Sequence, residues 1–123
     1  MRNKSKIERA LIFIEKNLER PITLGEVSRE GGMSKFYFSR FFKIATGNTF
    51  KKYIITKRLD KAKKLLKDAD MDITEICFQL GFNDLSYFSR IFRKKEGITP
   101  SAYRKKFDNL SLNITEKQES PDF

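Results

Sequence analysis

The stretch Tyr37-Phe38-Ser39-Arg40-Phe41-Phe42-Lys43 returns fifty residues later as Tyr87-Phe88-Ser89-Arg90-Ile91-Phe92-Arg93, and each copy runs on to a Gly, a Thr and a Tyr at matching offsets. Eight of the seventeen positions from Tyr37 to Tyr53 are identical to their counterparts from Tyr87 to Tyr103, so one unit is used twice. Within the first copy Phe38, Phe41, Phe42 and Ala45 follow i, i+3, i+4, i+7, the spacing of a helix with one apolar face. Phe88, Ile91 and Phe92 repeat that stripe, and Lys95 stands where the first copy has Ala45, so the second stripe is expected to be shorter. The opposite faces carry Phe36, Ser39, Arg40 and Lys43 in one copy and Ser86, Ser89, Arg90 and Arg93 in the other. Tyr37 and Tyr87 fall on the border between faces, where partial core packing is expected.

Outward from these helices, the punctuation is the same in both halves. Thr23 with Glu26 and Asp72 with Glu75 are capping boxes that open short helices, which end at Gly31-Gly32 and at Gly81. Ser34 caps the first apolar-striped helix, expected over Lys35 to Thr46, and Asn83 or Asp84 caps the second, reaching Glu96. The second turn is one residue longer, since Gly32 to Tyr37 is five steps and Gly81 to Tyr87 is six. Ile7, Leu11, Ile14 and Leu18 predict a preceding helix from about Ser5 to Leu18. Thr49 caps a long one over Phe50 to Lys67, and Thr99-Pro100 opens a last short one.

The fold class is therefore all-α: two helix-turn-helix subdomains, at 5–55 and 68–107, joined by a linker helix over 50–67, with about seven helices in all. After Phe107 the apolar periodicity stops, and 108–123 is read as a flexible tail. Two short capped helices around a Gly-containing turn form the arrangement that lays its second helix in the major groove of DNA.

Charge points the same way. Lys and Arg number 26 against 16 Asp and Glu, a net +10, and the tail from Asp108 has four acids and one Lys, which leaves +13 on residues 1–107. Such a body fits a polyanionic partner. The outward stripes combine Arg for guanine, hydroxyls for either base type and an apolar edge for a thymine methyl. A helix of eighteen residues spans roughly 27 Å, which with the half-widths of the units approaches the roughly 34 Å between reading heads on one face of the duplex. Lys51, Lys52, Lys57, Arg58, Lys61, Lys63, Lys64 and Lys67 make that helix strongly basic, an attraction to phosphates that carries no sequence information.

Other classes find no support. Cys77 is the single cysteine and there is no His, so no disulfide, metal site or nucleophile–base pair can be assembled, and neither an enzyme nor a cofactor is expected. Asp68, Asp70 and Asp72 have the alternation of a calcium loop, but Ile73 and Gln79 stand where its Gly and Glu belong. The longest apolar run, Ala10 to Ile14, is far short of the ~20 residues of a membrane helix. With no secretory core after Met1, a cytoplasmic setting is expected. The competing class is a helical protein-interaction module that touches DNA only non-specifically.

At Gly81-Phe82, Tyr87-Phe88-Ser89-Arg90, Phe92, Gly97, Thr99-Pro100 and Tyr103-Arg104, and again at Arg58-Leu59, Ala62 and Leu65-Leu66, the chain resembles the DNA-binding domain of the AraC/XylS family of bacterial transcription regulators. The resemblance covers about Ile7 to Phe107. It implies a transcription regulator, an activator working with RNA polymerase, that contacts bases through Phe36, Ser39 and Arg40 in the first unit and Ser86, Tyr87 and Arg90 in the second. Lys35, Lys43, Arg93 and Arg58 are the expected phosphate contacts. Two tandem units can read an asymmetric promoter site without dimerising, so a monomer on double-stranded DNA is expected. Ser28 and Cys77 replace the family's usual Ala, which implies small-residue packing and an inert thiol. Most members carry a sensor or receiver domain before this module, so the chain is expected to be a stand-alone member or the DNA-binding fragment of a larger regulator.

Overall fold

Seven helices and no strand make up the described residues of the structure, a computed structural model that describes residues 2–68 and 70–119, with side chains described at 6–68 and 70–110. They are α1 (Arg2–Lys16), α2 (Leu24–Glu30), α3 (Lys35–Thr46), α4 (Phe50–Asp68), α5 (Ile73–Gln79), α6 (Leu85–Glu96) and α7 (Pro100–Glu119). The all-α, two-unit reading holds. The chain divides into two compact units, Met1–Asp60 and Lys61–Phe123, so the division falls inside α4 and the connecting helix gives a part of itself to each.

In the first unit the capping box at the head of α2 is closed from both sides. The Glu26 N–H donates to Thr23 Oγ1 at 3.1 Å while the Thr23 N–H donates to Glu26 Oε1, also at 3.1 Å. Two of the orphan donors of a helix start are satisfied in this way. At the other end Gly32 takes φ 70° and the Met33 N–H reaches back to the Ser28 carbonyl at 2.9 Å, which turns the chain into α3. Ser34 Oγ accepts the Tyr37 N–H at 3.2 Å to start that helix, and Gly47, at φ 77°, ends it. Phe38 and Phe42 are fully buried with Ile14, Leu18, Val27 and Ile54. Phe42 meets Phe38 at 5.3 Å between ring centroids and Tyr53 edge-on at 5.1 Å. Each such Phe contributes roughly 1.5–3 kcal/mol by leaving water, which is what holds α3 with one fixed face outward.

The second unit repeats this on its own. Asp72 Oδ1 accepts the Glu75 N–H at 2.8 Å, and the Asp72 N–H closes the box on Glu75 Oε1 at 3.4 Å. Gly81 is at φ 88°, and the Phe82 N–H returns to the Cys77 carbonyl at 3.2 Å. Asn83 is the extra residue of the longer turn, and Asp84 is the cap, accepting N–H groups from both Ser86 and Tyr87. Phe88, Phe92, Ile76, Cys77 and Leu80 are fully buried. Phe88 packs on Phe82 at 5.0 Å, and Phe92 meets Tyr103 edge-on at 5.5 Å. Ser28 and Cys77 are both buried, as small residues inside the first helix of each motif. Burial pushes the Cys77 thiol up, and the Asp84 charge adds in the same direction, which keeps it protonated and unreactive.

Two expectations need correction. Ala45 is exposed, not part of the core stripe, because the last turn of α3 runs past the edge of the core; both stripes end at Phe42 and Phe92, and Lys95 is no irregularity. The last helix does not stop at Phe107 either: α7 continues to Glu119, so 108–119 is helical where an irregular tail was expected, and 120–123 lie outside the described residues. No Gly or Pro occurs between Ser101 and Glu119, so nothing in the sequence terminates the helix once its apolar face has run out.

Candidate nucleic-acid interface

With Phe38 and Phe42 turned inward, the 3.6-residue period forces Phe36, Ser39, Arg40 and Lys43 outward, and all four are exposed. Phe36 is 74% exposed, an unusual amount for a Phe in a molecule that has a core to bury it in. The Arg40 guanidinium lies over its ring, 5.6 Å from the centroid. Tyr37 is half out at the border, its ring stacked on Phe41 at 6.0 Å and 13°. Lys35 is exposed at the start of the helix, its stem crossing Gly25 of α2, where a Cβ would come within 3.2 Å of Lys35 Cε. No acidic residue occurs in α3.

On α6, Ser86, Arg90 and Arg93 are exposed, while Ser89 and Tyr87 are half-buried. Tyr87 lies between the core and the arginine: its ring is 6.3 Å from Phe82 and 5.7 Å from the Arg90 guanidinium carbon. The single acid of this helix, Glu96, is at its far end, where Lys63 at 3.4 Å and Lys95 at 3.7 Å pair with it. The outward face of each helix is thus cationic and free of carboxylates.

Arg58 is elsewhere. Its Nε donates to the Leu18 carbonyl at 2.9 Å and one Nη to the Arg20 carbonyl at 2.8 Å, so the guanidinium ties down the turn that follows α1 and its donors are engaged there. Burial pulls its pKa below the usual guanidinium value, as expected for a charge withdrawn from water. In the second unit Arg104 does the equivalent, donating to the carbonyls of Leu66 at 3.0 Å and Leu65 at 3.4 Å. Among the linker lysines, Lys51, Lys52, Lys64 and Lys67 are exposed, though Lys67 Nζ lies 5.2 Å from the Phe107 ring centroid. Lys57 sits over the Tyr53 ring and Lys63 on Glu96.

Sequence reasoning missed two features of these faces. The pairing of each arginine with a ring was legible as an i, i+4 spacing in one helix and i, i+3 in the other. Ile44, 81% exposed, stands one turn beyond Arg40, and a helical wheel places it beside that arginine. Among the described residues no helix is long and apolar enough to cross a membrane, and no group of three or more His, Cys, Asp or Glu could hold a metal ion.

These faces sit in a chain with known relatives. A family model described as a helix-turn-helix domain matches residues 27–106. The regulatory protein PocR of Salmonella typhimurium is 35% identical over 107 residues, which are 87% of this chain and 35% of PocR. SoxS of the same organism, a regulatory protein, is 33% identical over 98 residues, 80% of this chain and 92% of SoxS. The chain thus spans about a third of the length of the first and most of the second. Among solved structures, a Chromobacterium violaceum transcriptional regulator of the AraC-type DNA-binding kind superposes with a TM-score of 0.80 at 29% identity, covering 85% of this chain and 93% of that one. A helix-turn-helix match over most of the sequence, relatives of this kind and seven described helices that hold two capped helix-turn-helix motifs together place the chain in the AraC/XylS family, as a carrier of that family's DNA-binding domain.

Proposed function

We propose that this protein is a sequence-specific regulator of transcription that binds double-stranded promoter DNA as a monomer, in the cytoplasm, with α3 and α6 entering successive major-groove segments. The observation that carries the reading is the matched Ser-Arg pair: Ser39-Arg40 and Ser89-Arg90 occupy the same register, with both arginines exposed although Ser89 is half-buried, on two helices whose inward Phe pairs are fully buried. Arg40 and Arg90 fork to guanine O6 and N7, each contributing about 1–3 kcal/mol of discrimination. Ser39 and Ser86 offer hydroxyls that suit either base type, Phe36 an apolar edge, and Tyr87 a phenolic hydroxyl at the rim of the second face. Lys35, Lys43 and Arg93, all exposed, contact phosphates and supply affinity without selectivity. Action as an activator, through contact with RNA polymerase, follows the family and is tested by transcription in vitro from a promoter carrying the selected site.

Selection from a random duplex library at about 150 mM salt, where screening has shortened long-range attraction, tests the reading. An asymmetric motif with two boxes about one helical turn apart is expected. Enrichment without a motif would overturn it, because purely electrostatic binding is indifferent to sequence. The mass of the complex on one site is expected to correspond to one chain; two chains per site would overturn the monomer.

A further inference from the structure

We propose that Phe36 and Arg40 act as one preformed unit that reads a thymine methyl together with a guanine, so that the first box of the target is methyl-dependent and the second is not. The inference rests on the DNA-reading function and specifies what its first head recognises. Phe36 is the most exposed aromatic of the molecule's described residues at 74%, and the structure gives it no apolar cover on its outer edge. Its ring instead lies under the Arg40 guanidinium at 5.6 Å. A guanidinium over a ring keeps its fork oriented and loses less freedom when it binds, so the pair is set before DNA arrives.

The geometry fits adjacent bases. Residues four apart on a helix stand about 6 Å apart along its axis. Bases of one strand are spaced by about 3.4 Å. An arginine on guanine O6 and N7 therefore leaves the ring one turn back facing the edge of a base one or two steps away. The only apolar group that a base pair presents in the major groove is the thymine C5 methyl. The flank of this unit is extended by exposed Ile44, one turn to the other side of Arg40.

The second head lacks the device. Ser86 stands where Phe36 does, and the ring beneath Arg90 is Tyr87, which is half-buried against Phe82 and so faces the core with one side. Arg90 is supported, but no exposed apolar edge accompanies it.

The test replaces each thymine of the selected site by deoxyuridine, which removes only the methyl and leaves pairing unchanged, and measures affinity by competition. One replacement in the first box is expected to weaken binding roughly three- to fivefold, the contribution of one buried methyl, while replacements in the second box change nothing. Phe36→Ala, at a solvent-exposed position, is expected to bind thymine and deoxyuridine sites equally and to relax guanine selection at the position read by Arg40. Phe36→Leu separates the two roles: it retains the methyl preference and loses the guanine selectivity. Tolerance of deoxyuridine throughout the first box, equal sensitivity of both boxes, or an unchanged thymine preference in Phe36→Ala would each overturn the inference while leaving the DNA-reading function intact. A library selection that yields no motif would overturn that function and this inference with it.

Discussion

In the first unit Arg40 lies over Phe36, a ring one turn back that faces solvent, whereas in the second Arg90 lies over Tyr87, three residues back and wedged against Phe82. The arginines that close each unit differ in the same manner. Arg58, in the third turn of α4, reaches the carbonyls of Leu18 and Arg20, and Arg104, in the first turn or two of α7, reaches those of Leu65 and Leu66. In the register of the repeat Arg104 matches Ile54, so the two closing arginines stand one helical turn apart. The features that coincide are those with no alternative position: the reciprocal caps, the left-handed Gly of the turn and the buried Phe pair. A guanidinium on a long stem can arrive at one carbonyl from several positions, so its origin drifts between copies while its task stays fixed.

That comparison can be broken at its strongest point first. Phe42→Ala and Phe92→Ala remove equivalent, fully buried rings, and each is expected to cost about 3–5 kcal/mol of stability in urea unfolding. A cost below about 1 kcal/mol for either would show that the two cores are not equivalent. Next come the closing arginines. Arg58→Ala and Arg104→Ala each leave two carbonyls without their donor, and about 1–3 kcal/mol is expected from each, with Lys failing to restore it because it lacks the fork. Full rescue by Lys at either site would contradict the shared role.

Smaller effects sharpen the equivalence. Gly47 and Gly97 adopt φ 77° and 86° with nothing within 4 Å of a Cβ, so Ala there meets only the backbone penalty. About 1 kcal/mol is expected, alike in both units. Glu26 gives the least effect and a pH signature. The Arg20 side chain bonded to it, and then the Thr23 N–H, hold its carboxyl at about 2, below the ordinary 4.5. A folded value below the unfolded one stabilises above pH 4.5, and that contribution is lost as pH falls from about 4.5 through about 2. Parent and Glu26→Gln unfolding are therefore expected to differ at pH 6 and to converge as the pH approaches 2; a difference that grows on acidification would contradict the assignment.

Much of this architecture could be read from the chain because it depends on short-range rules. Thr23 with Glu26, Asp72 with Glu75, and Gly32 and Gly81 declare themselves within four or five residues, and the Phe stripes within one helix. Arg58 could not be read: its acceptors lie 38 and 40 residues away, and its sequence surroundings are those of any basic helix face. Ala45 misled because periodicity gives a direction and not the depth of the core beneath it. The helical 108–119 departs from the sequence pattern because loss of an apolar face is not loss of the helix where no Gly or Pro breaks it. On the outward faces, Ser39, Arg40, Ser86 and Arg90 emerge where the period sends them; the i, i+4 and i, i+3 spacings allow each arginine its ring, and the rotamers complete the stack.

The most direct measurement of the central claim is library selection run in parallel with the parent, Arg40→Ala and Arg90→Ala. Two independent heads predict that the parent yields two boxes, that Arg40→Ala loses its guanine preference in one box alone, and that Arg90→Ala loses it in the other alone, each by about 1–3 kcal/mol. Identical motifs from all three proteins, or uniform weakening of both boxes by either substitution, would contradict it.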